Sequence, residues 1–98
     1  MPNLTDLTLS DLVEKVKSKE ISSKEITSAY IDRSKQSKKL NTYVEETFDS
    51  ALKISEKFDA KPDFKKKLPG IPLAVKDLFC TKNVKTTASS KILENFIP

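Results

Sequence analysis

Lys76 is the side chain in this sequence of 98 residues whose type and position point most directly to chemistry. It follows the apolar residues 73–75, a short run typical of a strand covered on both faces. A lysine there would be desolvated, which disfavours the charged ammonium, and a neutral lysine is a general base. The sequence therefore predicts a catalytic lysine. The alternative is that Lys76 marks the end of the strand, reaches water and pairs with Asp77.

Other kinds of site are excluded within this sequence by what it lacks. It has no histidine and a single cysteine, Cys80, which excludes disulfide frameworks, His/Cys zinc sites and catalysis by a histidine-based triad. Its one glycine is Gly70, whereas loops that cradle phosphates or oxyanions in backbone amides need several. We therefore expect no metal or cofactor site in these residues.

The charge balance favours a solvated surface over a nucleic-acid site. The net charge is +4, but Arg33 is the only arginine, and the lysines alternate with acidic residues as they do on exposed helix faces. Apolar runs fall well short of the roughly 18 residues that a membrane span needs. The start carries neither the basic nor the apolar stretch of a signal peptide, so we expect a cytoplasmic protein.

Two helix starts are marked in the first half by the same device. Thr8 precedes Asp11 by three residues, and Ser22 precedes Glu25 by three, as in a capping box. Apolar residues that could form hydrophobic staples flank both starts: Leu7 with Leu12, and Ile21 with Ile26. Because apolar residues then recur at helical spacing, the pattern predicts two amphipathic helices packed as a hairpin.

The remaining elements follow from turn signals and periodicity. Residues 41–47 suit a short strand or an extended connector, and a third amphipathic helix is predicted to begin at Thr47 or Asp49. Pro69 and Gly70 suit the central positions of a type II turn. A further turn is expected around residues 82–83, and a single helical turn at residues 91–96.

These elements predict an α/β fold that is incomplete in this chain. Residues 1–60 form a helical segment, residues 61–67 a polar loop, and residues 68–98 the start of a catalytic sheet with the lysine motif. One covered strand cannot complete a sheet alone, so we expect the N-terminal part of a single larger domain. The isolated chain should be only marginally folded.

Two stretches carry a family resemblance. Residues 68–79, Leu-Pro-Gly-Ile-Pro-Leu-Ala-Val-Lys-Asp-Leu-Phe, and residues 86–96, Thr-Thr-Ala-Ser-Ser-Lys-Ile-Leu-Glu-Asn-Phe, closely resemble the amidase signature family. The second stretch is most similar to the branch that serves tRNA-dependent amidotransferases. The resemblance covers the whole chain, more loosely in the helical N-terminus, and implies that residues 68–98 enter the family's mixed sheet. Lys76 falls on the family's catalytic lysine.

The resemblance implies a Ser-cisSer-Lys triad in which the lysine takes a proton through the bridging serine. The nucleophilic serine then attacks the side-chain amide of glutamine, and the ammonia passes to a second protein, the B subunit, which amidates Glu-tRNA(Gln). The implied assembly is a heterotrimer of A, B and C subunits that uses ATP and Mg²⁺ as a whole, away from any membrane. Both triad serines would lie beyond residue 98, so this chain alone is expected to be inactive.

The departures from the family pattern leave Lys76 untouched. Asn83 stands where the family usually has glycine, and asparagine tolerates the left-handed conformation. Ser89 replaces a glycine- or alanine-like position. We expect Ser89 and Ser90 to be loop or helix-start residues rather than triad serines, and Cys80 to be a small buried side chain.

Three other hypotheses remain open from the sequence. The chain could belong to a different amidase-signature hydrolase that acts alone on a small amide. It could be a non-catalytic helical interaction module that binds another protein of an assembly. It could also be a small basic RNA-binding protein, which predicts an RNA affinity that falls steeply with salt.

Overall fold

The computed structural model describes residues 3–98, so Met1 and Pro2, at the start of the predicted helical segment, lie outside the described residues. Within residues 3–98 the α-helices are α1 (Leu9–Lys17), α2 (Ser23–Gln36) and α3 (Phe48–Ala60). Short 3₁₀ helices span Leu4–Asp6, Lys38–Leu40 and Lys91–Leu93. No helix in this part of the chain is both long and apolar enough to cross a membrane.

Both predicted helix starts are confirmed by their capping hydrogen bonds. The Thr8 hydroxyl accepts the backbone N–H of Asp11 at 3.1 Å at the start of α1. The Ser22 hydroxyl accepts the N–H of Glu25 at 3.1 Å at the start of α2, and also donates to a carboxylate oxygen of Glu25 at 3.3 Å. Thr47 precedes α3 as predicted, although its side chain makes no capping bond.

The core lies where α1 and α3 meet α2. Leu12 and Val16 of α1 are buried with Ile26 of α2, which is 0% exposed. Partly buried side chains surround this cluster: Leu7, Ile21, Tyr30, Phe58, Phe64 and Ile71. The sequence predicted α1 and α2 as a hairpin, but the most extensive contact of α2 with another helix is with α3.

A carboxylate from α3 closes the N-terminus of α2. Asp59 accepts the backbone N–H of Ser23 at 2.8 Å through Oδ1 and that of Lys24 at 3.0 Å through Oδ2. The first amides of a helix lack partners within the helix, and its N-terminus favours negative charge. Asp59 therefore ties the two helices together at a point that the local sequence pattern does not reveal.

The predicted type II turn is confirmed and is packed into the helical unit. Gly70 has a φ of +69°, and the N–H of Ile71 bonds to the carbonyl of Leu68 at 3.4 Å. Pro69 is fully buried, and the Ser23 hydroxyl donates to the Gly70 carbonyl at 2.6 Å. The turn therefore delivers the following residues to the surface of α2.

The sheet predicted for residues 68–98 is not confirmed. The β contact within residues 3–98 is the isolated antiparallel bridge between Thr81 and Val84, and residues 73–75 belong to no strand. Residues 41–47 form a connector rather than a strand. A covered strand needs neighbours to satisfy its backbone groups and to bury its side chains, and the described residues supply neither. The described part of the chain is thus helical.

Candidate active site

Lys76 ends the segment without regular secondary structure that follows the Pro69–Gly70 turn. Its carbonyl accepts the N–H of Leu78 at 2.8 Å and that of Phe79 at 3.2 Å, so the chain turns directly at the lysine. The side chain is exposed, and it takes part in none of the ion pairs found within residues 3–98. The expectation that Lys76 is buried between two apolar faces is therefore wrong for these residues, because no strand or helix covers it.

Asp77 does not pair with Lys76, which contradicts that part of the alternative interpretation. Its Oδ1 accepts the backbone N–H of Thr87 at 2.8 Å, and its Oδ2 accepts the Thr87 hydroxyl. The Thr87 hydroxyl, the Thr87 N–H and the N–H of Ser89 hold the pKa of Asp77 below its usual value, against a weaker opposite effect of burial. The carboxylate is thus committed to the segment ten residues further along.

An open groove of about 870 Å³ runs between α2, residues 42–48 and residues 71–77, with Lys76 in its wall. Large apolar side chains that line it remain in contact with solvent: Tyr43, Val44, Leu68, Leu73, Val75 and Phe79. A lysine beside an apolar groove can be desolvated once that groove is filled, which would favour its neutral form. The groove thus combines two amines, those of Lys76 and Lys85, with a surface able to exclude water.

Most of the other residues that the sequence singled out near the motif lie in the structures predicted for them. Ser90 directly precedes the 3₁₀ helix Lys91–Leu93, and Ser89 lies in the preceding turn with a φ of +59°. Asn83 adopts the left-handed conformation predicted for it, with a φ of +64°. Cys80 is exposed, so the prediction of a buried cysteine is wrong.

No set of three or more His, Cys, Asp or Glu side chains within residues 3–98 is arranged to hold a metal ion. A Mg²⁺ ion thus has no candidate ligand cluster among the described residues.

Sequence reasoning missed Thr87 as the partner of Asp77. The two residues are ten positions apart, and no helical or strand periodicity links such a spacing. The available signal was that both belong to the two stretches that carry the family resemblance, Asp77 in residues 68–79 and Thr87 in residues 86–96. That Asp77 and Thr87 each lie in one of these stretches suggests a contact between them but does not specify its geometry.

Comparison with known proteins adds independent findings. The family model described as Amidase matches residues 25–98. The A subunit of glutamyl-tRNA(Gln) amidotransferase from Pelagibacter ubique is 60% identical over 98 residues, which cover 100% of this chain and 20% of the relative. The Rickettsia bellii protein of the same name is 47% identical over 100 residues, covering 100% of this chain and 20% of the relative.

The Caulobacter vibrioides protein, which has the same name, is 45% identical over 98 residues, covering 98% of this chain and 20% of the relative. The chain therefore spans about a fifth of the length of the curated relatives it matches. No solved structure matches the chain.

Proposed function

The chain belongs to the amidase family, and on that premise we propose that it is the N-terminal part of the A subunit of a glutamyl-tRNA(Gln) amidotransferase. In this proposal the complete protein hydrolyses glutamine and supplies ammonia for the conversion of Glu-tRNA(Gln) to Gln-tRNA(Gln). The observation that carries the proposal is the 60% identity to the Pelagibacter ubique protein across the entire chain. The partners are the B and C subunits, and the assembly acts in the cytoplasm with ATP and Mg²⁺.

Lys76 is the general base in this proposal. A serine outside residues 3–98 attacks the side-chain amide carbon of glutamine, and its proton passes through a bridging serine to the Lys76 amine. The C–N bond then breaks, the proton returns to the leaving nitrogen, and ammonia departs from an acyl ester that water hydrolyses to glutamate. Support for this role comes from the position of Lys76 in the groove wall and from its freedom from ion pairs within residues 3–98.

The catalytic form of the lysine requires the groove to be covered. Leu73 is 79% exposed and Phe79 is 59% exposed, although both flank the lysine and belong to its motif. In the proposed complete protein, further chain fills the groove, buries these side chains and desolvates Lys76, which favours the neutral amine that a general base needs.

A second candidate function is a non-catalytic helical interaction module. The observation that favours it is that the buried apolar core within residues 3–98 lies among the helices, whereas the lysine segment is unpacked. Such a module would bind a partner through the apolar groove without any chemistry at Lys76. An amidase-family hydrolase acting on another small amide is the remaining alternative, and it shares the proposed role of Lys76.

The test uses this sequence followed by the remaining four fifths of the Pelagibacter ubique protein, which we call the completed protein. Assembled with its partner subunits, it should transfer ammonia from glutamine and should also use free ammonium. Lys76→Ala should abolish the glutamine-dependent reaction and spare the ammonium-dependent one, because free ammonium bypasses the amidase site.

Lys82→Ala is the matched control, since it removes another exposed lysine of the same segment and should leave both reactions intact. Glutamine-dependent activity that survives Lys76→Ala would refute the proposed role. A completed protein that hydrolyses other small amides but not glutamine would favour the stand-alone hydrolase.

A further inference from the structure

Asp77 joins the lysine segment to residues 87–88 by three hydrogen bonds. Its two carboxylate oxygens accept the N–H and the hydroxyl of Thr87, and its backbone carbonyl accepts the N–H of Ala88 at 2.7 Å. Thr87 is buried although it lies in the sparsely packed part of the chain. The residue after the proposed base is therefore fixed through both its side chain and its backbone.

The turn that receives Asp77 adopts an unusual backbone conformation. Ala88 and Ser89 have φ values of +48° and +59°, in the left-handed region that disfavours residues other than glycine. The N–H of Ser90 closes the turn on the Thr87 carbonyl at 2.8 Å. The Thr87 N–H at the start of this turn donates a charge-assisted hydrogen bond to the Asp77 carboxylate at 2.8 Å.

Anchoring Asp77 has a specific consequence for the preceding residue. The Lys76 carbonyl accepts the N–H groups of Leu78 and Phe79. The backbone between Lys76 and Asp77 is therefore fixed, while the Lys76 side chain is exposed. Because the carboxylate is occupied by Thr87, it does not form an ion pair with the neighbouring ammonium. Such a pair would stabilise the charged form of the lysine and oppose its use as a base.

We propose that Asp77 is a positioning residue that acts through Thr87, fixing the backbone of Lys76 and keeping the Asp77 carboxylate away from the Lys76 amine. The inference rests on the proposed role of Lys76 as general base. Asp77 and Thr87 act on that base and make no contact with the reacting atoms in this account.

The experiment measures steady-state glutamine hydrolysis by the completed protein in complex with its partner subunits. Thr87→Val removes the hydroxyl with little change in shape, and it should lower kcat about tenfold with an unchanged KM for glutamine, because the base is misplaced rather than the substrate. Thr87→Ser restores a hydroxyl and should keep kcat within about twofold of the original.

Thr86→Val is the matched control. Thr86 is a buried neighbour whose hydroxyl donates to the Val84 carbonyl at 3.1 Å and does not bond to Asp77, so kcat should be nearly unchanged. Equal kcat losses in Thr86→Val and Thr87→Val, or a raised KM with unchanged kcat in Thr87→Val, would overturn the proposal.

Ammonium-dependent transfer reports whether each variant is folded and assembled. If Thr87→Val loses the ammonium-dependent activity as well, Asp77→Asn is tested in its place for kcat and KM. If Asp77→Asn also loses both activities, the contact between Asp77 and Thr87 is purely structural and the proposal is overturned. Lys76→Ala in the same series separates the two claims. If it abolishes glutamine hydrolysis while Thr87→Val leaves kcat unchanged, the positioning role fails and the general base stands.

Discussion

Residues 3–72 and residues 73–98 are stabilised by different kinds of interaction. The first region has a buried core, with Ile26 fully buried among the helices and the Pro69–Gly70 turn packed against α2 and α3, although Val44 and Ile54 stay exposed. The second leaves its large apolar side chains in solvent, Leu73 most of all at 79% exposure among those that line the groove. The region with the chemical motif is therefore the one whose packing the described residues do not provide.

Hydrogen bonds give the second region its order instead. Asp77 is tied to Thr87, the N–H of Thr86 bonds to the Phe96 carbonyl at 3.0 Å, and the N–H of Asn83 bonds to the Pro98 carbonyl at 2.9 Å. A neutral intramolecular hydrogen bond contributes about 0.5–1.5 kcal/mol net, whereas one fully buried isoleucine contributes about 1.5–3 kcal/mol. The difference teaches that local turns shape the motif, whereas apolar burial within the described residues contributes little to it.

The largest effect is expected at the proposed general base in the second region. Lys76→Arg in the completed protein should lower glutamine hydrolysis by at least about 100-fold, because a guanidinium stays charged and cannot accept the serine proton. Steady-state ammonia release measures this loss, and Lys82→Arg provides the control with the same change at a neighbouring exposed lysine. Near-normal ammonia release from Lys76→Arg would mean that position 76 requires only a positive charge.

The next effect lies in the first region, at its closest packing. Gly70→Ala should destabilise the chain by about 2–3 kcal/mol, since a left-handed φ alone costs alanine about 1–2 kcal/mol. The added Cβ would also lie 2.8 Å from the Phe58 ring and 2.9 Å from the Ser23 Cβ. Urea titration of the chain, followed by far-ultraviolet circular dichroism, should show that Gly70→Ala loses most of its helical signal at a lower urea concentration than the original does.

Ala88→Gly makes the opposite substitution in the second region. It relieves a left-handed alanine at the expense of a more flexible unfolded chain, so its urea midpoint should stay close to that of the original. Equal destabilisation by Gly70→Ala and Ala88→Gly would remove the contrast between the two regions.

A smaller effect is expected at the link between α2 and α3. Asp59→Ala leaves two amides at the start of α2 without their carboxylate, and loss of such a cap costs about 0.5–2 kcal/mol. The same urea titration should show a lower midpoint, while Asp32→Ala, at an exposed position on α2, should not change it. A midpoint unaffected by Asp59→Ala would show that packing alone holds the two helices.

The smallest effect is a local response to acid in the second region. Since the pKa of Asp77 is lowered, its hydrogen bonds with Thr87 stabilise the structure fully above the ordinary aspartate pKa of about 3.9. That stabilisation is lost as the pH falls through the lowered value. The NMR signal of the Thr87 amide should therefore hold steady from neutral pH to about pH 4 and move below it.

In Asp77→Asn the same amide signal should not titrate. A Thr87 amide signal that behaves alike in the original chain and in Asp77→Asn would contradict the observed bond.

The helical region was predictable because its signals are local. Thr8 and Ser22 cap helices through residues three positions ahead, and Gly70 takes up a turn conformation that few other residues tolerate. Asp59 was missed, because it caps a helix that begins 36 residues earlier in the chain.

For the candidate site, the sequence predicts a residue, whose role stays a prediction, but not the environment of its side chain. The motif singled out Lys76, yet its burial was inferred from a sheet whose strands the described residues do not contain. The same missing cover explains why Cys80 is exposed and why residues 73–75 belong to no strand. Alternation and run length indicate what a segment would bury, and only the neighbouring segments determine whether it does.

Hydrogen exchange of backbone amides in the isolated chain and in the completed protein tests the central claim most directly. We expect amides in the middle of α2 to be protected in the completed protein and measurably slowed in the isolated chain. Amides of residues 73–75 should exchange at nearly unprotected rates in the isolated chain and be strongly protected only in the completed protein. Equal protection of residues 73–75 in both, whether strong or absent, would contradict the claim that the lysine segment is completed by chain outside residues 3–98.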